Sequence, residues 1–209
     1  MDFIDQAILS LDNALRTLSG QSRGSGRANP AAAEPDKLLR PWERRRAGRM
    51  MRVNHAGEVM AQALYTGQEA GSEDPQLRAA LRRARSEEED HLRWCEERLA
   101  ELHSRPSLLG PLWYSTAWGM GYAAARRGRA RNLGLVVAVE NLVEEHLKEH
   151  LHELPLEDER SRRILEQMEA DEVGHAEKAE ELGAAPLPAP LRIAMQSLSK
   201  IMTRSALWI

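Results

Sequence analysis

One ligand set occurs twice in this chain, and the repeat limits the folds open to it. Glu58 is followed thirty residues later by Glu88-x-x-His91, and Glu140 is followed thirty-two residues later by Glu172-x-x-His175. On a helix, residues three apart share a face, so each Glu-x-x-His pair aims a carboxylate and an imidazole at one point. The lone Glu of each half comes from the antiparallel partner helix. The repeat therefore calls for four helices packed with these side chains facing inward.

Chance does not explain it. With 24 Glu and 7 His in 209 residues, random placement gives about one Glu-x-x-His, and three occur. The third, Glu149/His152, lies in a dense run (Glu144, Glu145, His146, Glu149, His150, His152, Glu153) and has no lone Glu about thirty residues upstream. A single such pair reads as a solvated helix face, and the third is assigned to the surface. The shared spacing sets the other two apart.

Four carboxylates and two imidazoles form a hard, oxygen-rich donor set that suits iron or manganese better than copper. Structural zinc sites more often use thiolates. Charge points the same way: four buried carboxylates repel one another and raise their pKa values, and two divalent cations would neutralise them. One Glu from each of two helices with a Glu-x-x-His from each of two others is the pattern of di-iron and di-manganese proteins of ferritin-like fold. Glu58 and His91 are expected as terminal ligands of one metal and Glu140 and His175 of the other. Glu88 and Glu172 then bridge. Reduced iron at such a centre supplies electrons to O₂.

The remaining sequence reads as all-α. No convincing period-two strand occurs between Pro41 and Leu182, only helical patterns broken by turn chemistry. Core helices are expected at about Trp42–Ala70, Pro75–Leu102, Asn132–Leu154 and Glu157–Leu182, with an apolar segment ending near Ala125 and a break at Gly128. Phe3, Ile4, Ala7, Ile8, Leu11, Ala14, Leu15 and Leu18 recur at helical spacing and predict an amphipathic helix within residues 1–19. Residues 20–40 contain a run rich in Gly, Ser, Ala and Pro, expected to be a mobile linker. Residues 41–209 form the catalytic domain. Gly174, inside the second Glu-x-x-His, costs about 1 kcal/mol of helix propensity, and close helix approach would explain its presence.

Several other residues invite assignment. His55, one turn before Glu58, is weighed between a partner of the site and a packing residue. Tyr65 shares the face of Glu58 and lines the pocket or packs. His146 is at most an outer partner, and His150 and His103 are placed on the surface. Cys95 is the only cysteine, so no intrachain disulfide forms; it is expected to pack. A net charge of −3 gives no sign of a nucleic-acid partner. Met1–Ser10 lacks the basic start of a signal peptide.

Leu108–Ala125 carries no charge and approaches the length of a membrane span, but Pro111 and three glycines argue against crossing. Trp113, Tyr114, Trp118 and Tyr122 prefer bilayer interfaces, and Arg126, Arg127, Arg129 and Arg131 follow to meet anionic head groups. Residues 190–209 form a second amphipathic element. Together they predict a surface that lies on a membrane, with an oligomer or domain interface as the alternative.

Four strings resemble the demethoxyubiquinone hydroxylases of ubiquinone biosynthesis. They are Arg52-Val-Asn-His-Ala-Gly-Glu-Val59, Glu88-x-Asp-His91, Arg105-Pro-Ser-Leu-Leu-Gly-Pro-Leu-Trp113 and Asp171-Glu-x-x-His175. The resemblance covers about Arg52 to the C-terminus. It implies two iron ions per chain on Glu58, Glu88, His91, Glu140, Glu172 and His175. It also implies monooxygenation of a polyprenylated methoxy-benzoquinol ring by O₂ and two electrons. NADH is the candidate reductant, although the chain shows no dinucleotide-binding motif. The implied location is peripheral, on the cytoplasmic side of the cell membrane, with a homo-oligomer or other ubiquinone-biosynthesis proteins as partners. Met60 stands where a small Gly is common, and Leu147 follows His146 where some members carry Tyr, which removes a His-Tyr pair. The rival readings are a ferritin-like iron-oxidising or iron-storing protein, and a helical scaffold whose acidic pairs are merely solvated.

Overall fold

The computed structural model describes residues 3–22 and 24–209, all of whose regular elements are helices. They are α1 (Phe3–Ser19), α2 (Pro41–Gly71), α3 (Pro75–Glu101), α4 (Gly110–Ala125), α5 (Arg129–Glu153), α6 (Glu159–Glu181) and α7 (Ala189–Ala206). Boundaries follow local chemistry. Asp74 caps α3 by accepting from the Gln76 and Leu77 amides, with Pro75 at the first helical position. Asp158 caps α6 through the Ser161 amide. Gly183, at φ 96°, takes the left-handed turn that ends α6.

Helices α2, α3, α5 and α6 form a bundle, and its core has two apolar layers. One is built from Met50 and Met51, Trp94 and Leu99, Leu147, and Ile164 to Met168. The other is built from Tyr65, Leu77 and Leu81, Leu133 and Val136, and Ala179. Each layer draws on all four helices. Along every helix the ligand residues fall between the two layers, so apolar packing seals the cluster at both ends. Cys95 packs in the first layer against Met168, as expected.

Helices α4 and α7 lie outside the bundle against α2. The α2–α4 contact is backbone to backbone. A Cβ added at Gly67 would stand 2.1 Å from the Trp118 carbonyl oxygen, and one at Gly121 would stand 2.2 Å from that of Leu64. No helix is long and apolar enough to cross a membrane among the described residues. On α1 the side chains of Ile4, Ile8, Leu11, Leu15 and Leu18 are exposed. Those of Phe3 and Ala7, expected on the same face, lie outside the described residues, as do Met1, Asp2 and Arg23.

Two expectations are corrected. The segment over residues 20–40 is not a free linker but a strap laid across α3 and α6. Gly24 and Ser25 donate to Glu89 and Asp90, Asn29 donates to Glu97, Ala31 is fully buried, and Arg160 and Arg163 hold Glu34. Its Gly, Ala and Ser content reflects tight passage over a helix surface. Gly174 is the second: it is exposed, and a Cβ there meets nothing within 4 Å. Close helix approach therefore does not explain it.

Gly67→Ala should lower stability by about 1–3 kcal/mol, because it overpacks a backbone contact. Gly174→Ala should raise it by about 1 kcal/mol. Urea unfolding of the two variants beside the parent chain measures both, and the opposite signs test the packing account.

Candidate metal centre

The six expected ligand residues converge in the middle of the bundle. All are buried: Glu58 from α2, Glu88 and His91 from α3, Glu140 from α5, Glu172 and His175 from α6. Their ligand atoms form two overlapping groups, Glu58, Glu88, His91 and Glu172, and Glu88, Glu140, Glu172 and His175. Glu88 and Glu172 belong to both. Within each group the atoms lie within 4.8 Å of one another.

The orientation of these atoms fits metal ions. His175 Nδ1 lies 2.8 Å from Glu88 Oε1, yet neither atom makes a hydrogen bond. Glu58 Oε2 and Glu172 Oε2 are likewise buried without a partner. Polar atoms buried this close together without hydrogen bonds leave common points between them at which a cation would satisfy them. Left unfilled, such points would carry a large desolvation cost.

A second ring holds the first in place, and it repeats the two-fold pattern. His91 Nε2 lies 2.8 Å from Asp171, and His175 Nε2 lies 2.8 Å from Glu87. Each acid immediately precedes the shared Glu of the opposite half. Such a contact fixes the ring and turns Nδ1 toward the centre, where that of His91 lies 3.1 Å from Glu88 Oε2. Arg27 of the strap reaches Asp171 at 2.7 Å and covers the Trp94 ring, which ties the strap to the site. Tyr65 donates its phenol hydrogen to Glu140, so it is a partner of the site. Glu87 and Asp171 went unassigned in the sequence reading, although an acid before both Glu-x-x-His motifs was the available signal.

Without cations the cluster holds protons. Burial pushes the His91 and His175 imidazoles down, but the surrounding carboxylates outweigh it, and His175 is pushed up to about 12. Burial, with Glu88 beside Glu58 and Glu172 beside Glu140, lifts those two outer carboxyls well above the usual range. Burial also works against Glu88, but the two imidazolium partners hold its carboxyl well below that range.

His55 does not serve the cluster. Its ring is buried 3.5 Å from Glu96, in a cavity walled by α1 and the chain before α4. His150, expected at the surface, is instead buried, with Nδ1 2.9 Å from Asn54 Oδ1 and its ring 4.0 Å from that of His146. The Glu/His-dense run hid which face of α5 this residue occupies. Glu149, His152 and His103 are exposed, as expected.

A narrow apolar channel leads from the surface to Glu58. Its walls come from α2, α4, α5 and α7 and include Leu64, Ala117, Val139, Leu142, Met195 and Leu198. His146 also borders it, with a buried Nε2 that makes no hydrogen bond.

Fold and cluster define the class: a ferritin-like helical bundle with a buried acidic and histidine cluster that could hold two metal ions. Residues 45–206 match the model of the ubiquinone biosynthesis protein COQ7 family. The chain belongs to that family. Relatives named 3-demethoxyubiquinol 3-hydroxylase extend the match to nearly the whole chain. The one from Bordetella pertussis is 48% identical over 206 residues, covering 99% of this chain and 93% of its own. That from Bordetella avium is 51% identical over 203 residues, with 97% and 94% covered. That from Cupriavidus pinatubonensis is 50% identical over 205 residues, with 97% and 99% covered.

The proton inventory has a direct consequence. The metal-free folded site binds more protons than the unfolded chain through its raised imidazoles and outer carboxyls. Its stability should therefore fall as pH rises above about 4.5 through the outer carboxyls, and above about 6.5 through the imidazoles, toward the raised folded value of His175. Thermal melts of metal-free protein across that range should show the fall, and metal loading should reverse its sign by displacing the protons. Glu87→Gln and Asp171→Asn should each weaken metal binding by about 10–100-fold, read by competition with a chromophoric chelator.

Proposed function

We propose that this chain is a 3-demethoxyubiquinol 3-hydroxylase that holds two iron ions on Glu58, Glu88, His91, Glu140, Glu172 and His175. The observation that carries the reading is the apolar channel ending on Glu58. An iron-storing protein needs a polar route for ions, whereas a ring bearing a polyprenyl tail needs apolar walls. The names of the relatives supply the same substrate.

Iron held by the six residues would, when reduced, supply two electrons to O₂, so that with two protons one oxygen atom enters the ring and the other leaves as water. The chain's own residues do the rest. Asp171 and Glu87 hold the two imidazoles in register, and Tyr65 holds Glu140. The channel walls exclude water, and the unpartnered His146 Nε2 offers the ring oxygens a hydrogen-bonding group. At about 90 Å³ the channel is smaller than the roughly 150 Å³ cavity that accepts benzene. Admission of the ring therefore requires the walls to part.

The tail implies a membrane. Exposed Ile8, Leu11 and Leu15 on α1, Leu112 on α4, and Ile193 and Ile201 on α7 support a position on a membrane surface, which the proposal places on the cytoplasmic side of the cell membrane. Arg126 and Arg129 are engaged with Glu73 and Asp74, so they serve the α2–α3 turn as well as any head group. NADH remains the proposed source of electrons, and further copies of the chain or other ubiquinone-biosynthesis proteins the proposed partners.

Ala117→Trp, which fills the channel beside α4, should leave iron binding at two ions per chain while quinol turnover falls by more than tenfold. Metal analysis and product chromatography on the same sample read both. Undiminished turnover would remove the channel from the reaction. Iron oxidation that ignores quinol in the parent protein would favour the iron-storing reading.

A further inference from the structure

A second cleft, of about 630 Å³, lies between the start of α2, the turn after α3 and the end of α7. Arg44, Arg45, Arg49, Arg52 and Arg105 line it, with Trp208 at its rim, and no acidic side chain does. None of the five guanidiniums has a carboxylate partner among the described residues, while the neighbouring Arg46 pairs with Glu153 on another face. The concentration of charge is built into the fold. Gly48 lets the turn approach α2, since a Cβ there would stand 3.0 Å from Ser104. Arg52 then fixes that turn through the Arg105 carbonyl at 2.8 Å and Ser104 Oγ at 3.2 Å. Burial and the charges of Arg105 and Arg49 lower the Arg52 pKa, a sign that the cleft concentrates positive charge.

We propose that this arginine cleft binds the phosphate of an anionic phospholipid and so sets the orientation of the channel on the bilayer; the inference rests on the membrane-bound hydroxylase reading. Guanidiniums match phosphate oxygens in fork geometry. Two observations favour a lipid over a soluble phosphate. Trp208 is 70% exposed at the rim, with Arg49 over its ring at 4.5 Å, and tryptophan prefers the head-group level. Helix α7 links the two cavities, with Met195 and Leu198 on the channel and Leu207 and Trp208, just past its end at Ala206, on the cleft. A phosphate held at its end therefore places the channel beside the acyl layer.

The test is co-sedimentation of the iron-loaded full chain with vesicles of phosphatidylcholine, alone or mixed with phosphatidylglycerol. The mixed vesicles should bind on the order of tenfold more tightly, less so as salt is raised. The variant Arg45→Glu/Arg49→Glu/Arg105→Glu should lose that preference. It should retain its circular dichroism and its turnover of a short-tailed quinol in detergent. A control, Arg83→Glu/Lys148→Glu/Lys178→Glu, at exposed positions away from the cleft, should keep the preference. Equal loss in both variants would overturn the proposal in favour of diffuse charge. Saturable binding of ADP to the parent protein but not to the cleft variant, with no phosphatidylglycerol preference, would overturn it in favour of a soluble nucleotide. Failure of quinol turnover in the parent protein would instead count against the hydroxylase reading, so the two failures are separable.

Discussion

Four carboxylates enclosed in one helical bundle repel one another, and the rest of the molecule is arranged around that repulsion. Burial alone would keep them protonated or force the helices apart. Two imidazoles at the centre, two acids behind the imidazoles and apolar layers above and below make the arrangement tolerable without metal, at the expense of bound protons. Cations relieve it more completely. The same feature that threatens the fold therefore gives the centre its affinity.

The repeat extends further than the ligands. Glu87 and Asp171 each stand one residue before a shared carboxylate and each orients the imidazole of the other half. The two halves thus cross-brace, so that a shift of α3 relative to α6 disturbs both imidazoles at once. Arg27 joins the strap to this bracing through Asp171. Outside the bundle, the glycine contact between α2 and α4 brings Ala117 close enough to α2 to form one wall of the channel, with α7 forming another. In the proposed reaction, substrate access is set by the outer helices and chemistry by the inner ones.

The inner part was legible from the amino-acid sequence because helix periodicity is a short-range rule. Glu88 and His91 must share a face whatever surrounds them, and the doubled spacing pairs the helices. The helix ends expected at Ala70, Pro75 and Leu182 fall within one residue of those observed, because caps and turns also act over a few residues. What escaped depends on distant contacts. The strap looked mobile because its composition is small and polar, and only Glu89, Asp90 and Glu97 on α3 show what holds it. The charged neighbours of His150 point to an exposed position, whereas Asn54 on α2 turns it inward. Gly174 was given a packing role that its open surroundings do not support.

Ring oxygenation at this cluster is decided by a single turnover with labelled oxygen. The protein is loaded with Fe(II) without air, given a short-tailed demethoxyquinol, exposed to ¹⁸O₂, and the product is read by mass spectrometry. One ¹⁸O atom is expected in the ring of the product, and none when Glu172 is replaced by Ala. Oxidation of the iron with an unlabelled, unchanged quinol would contradict it.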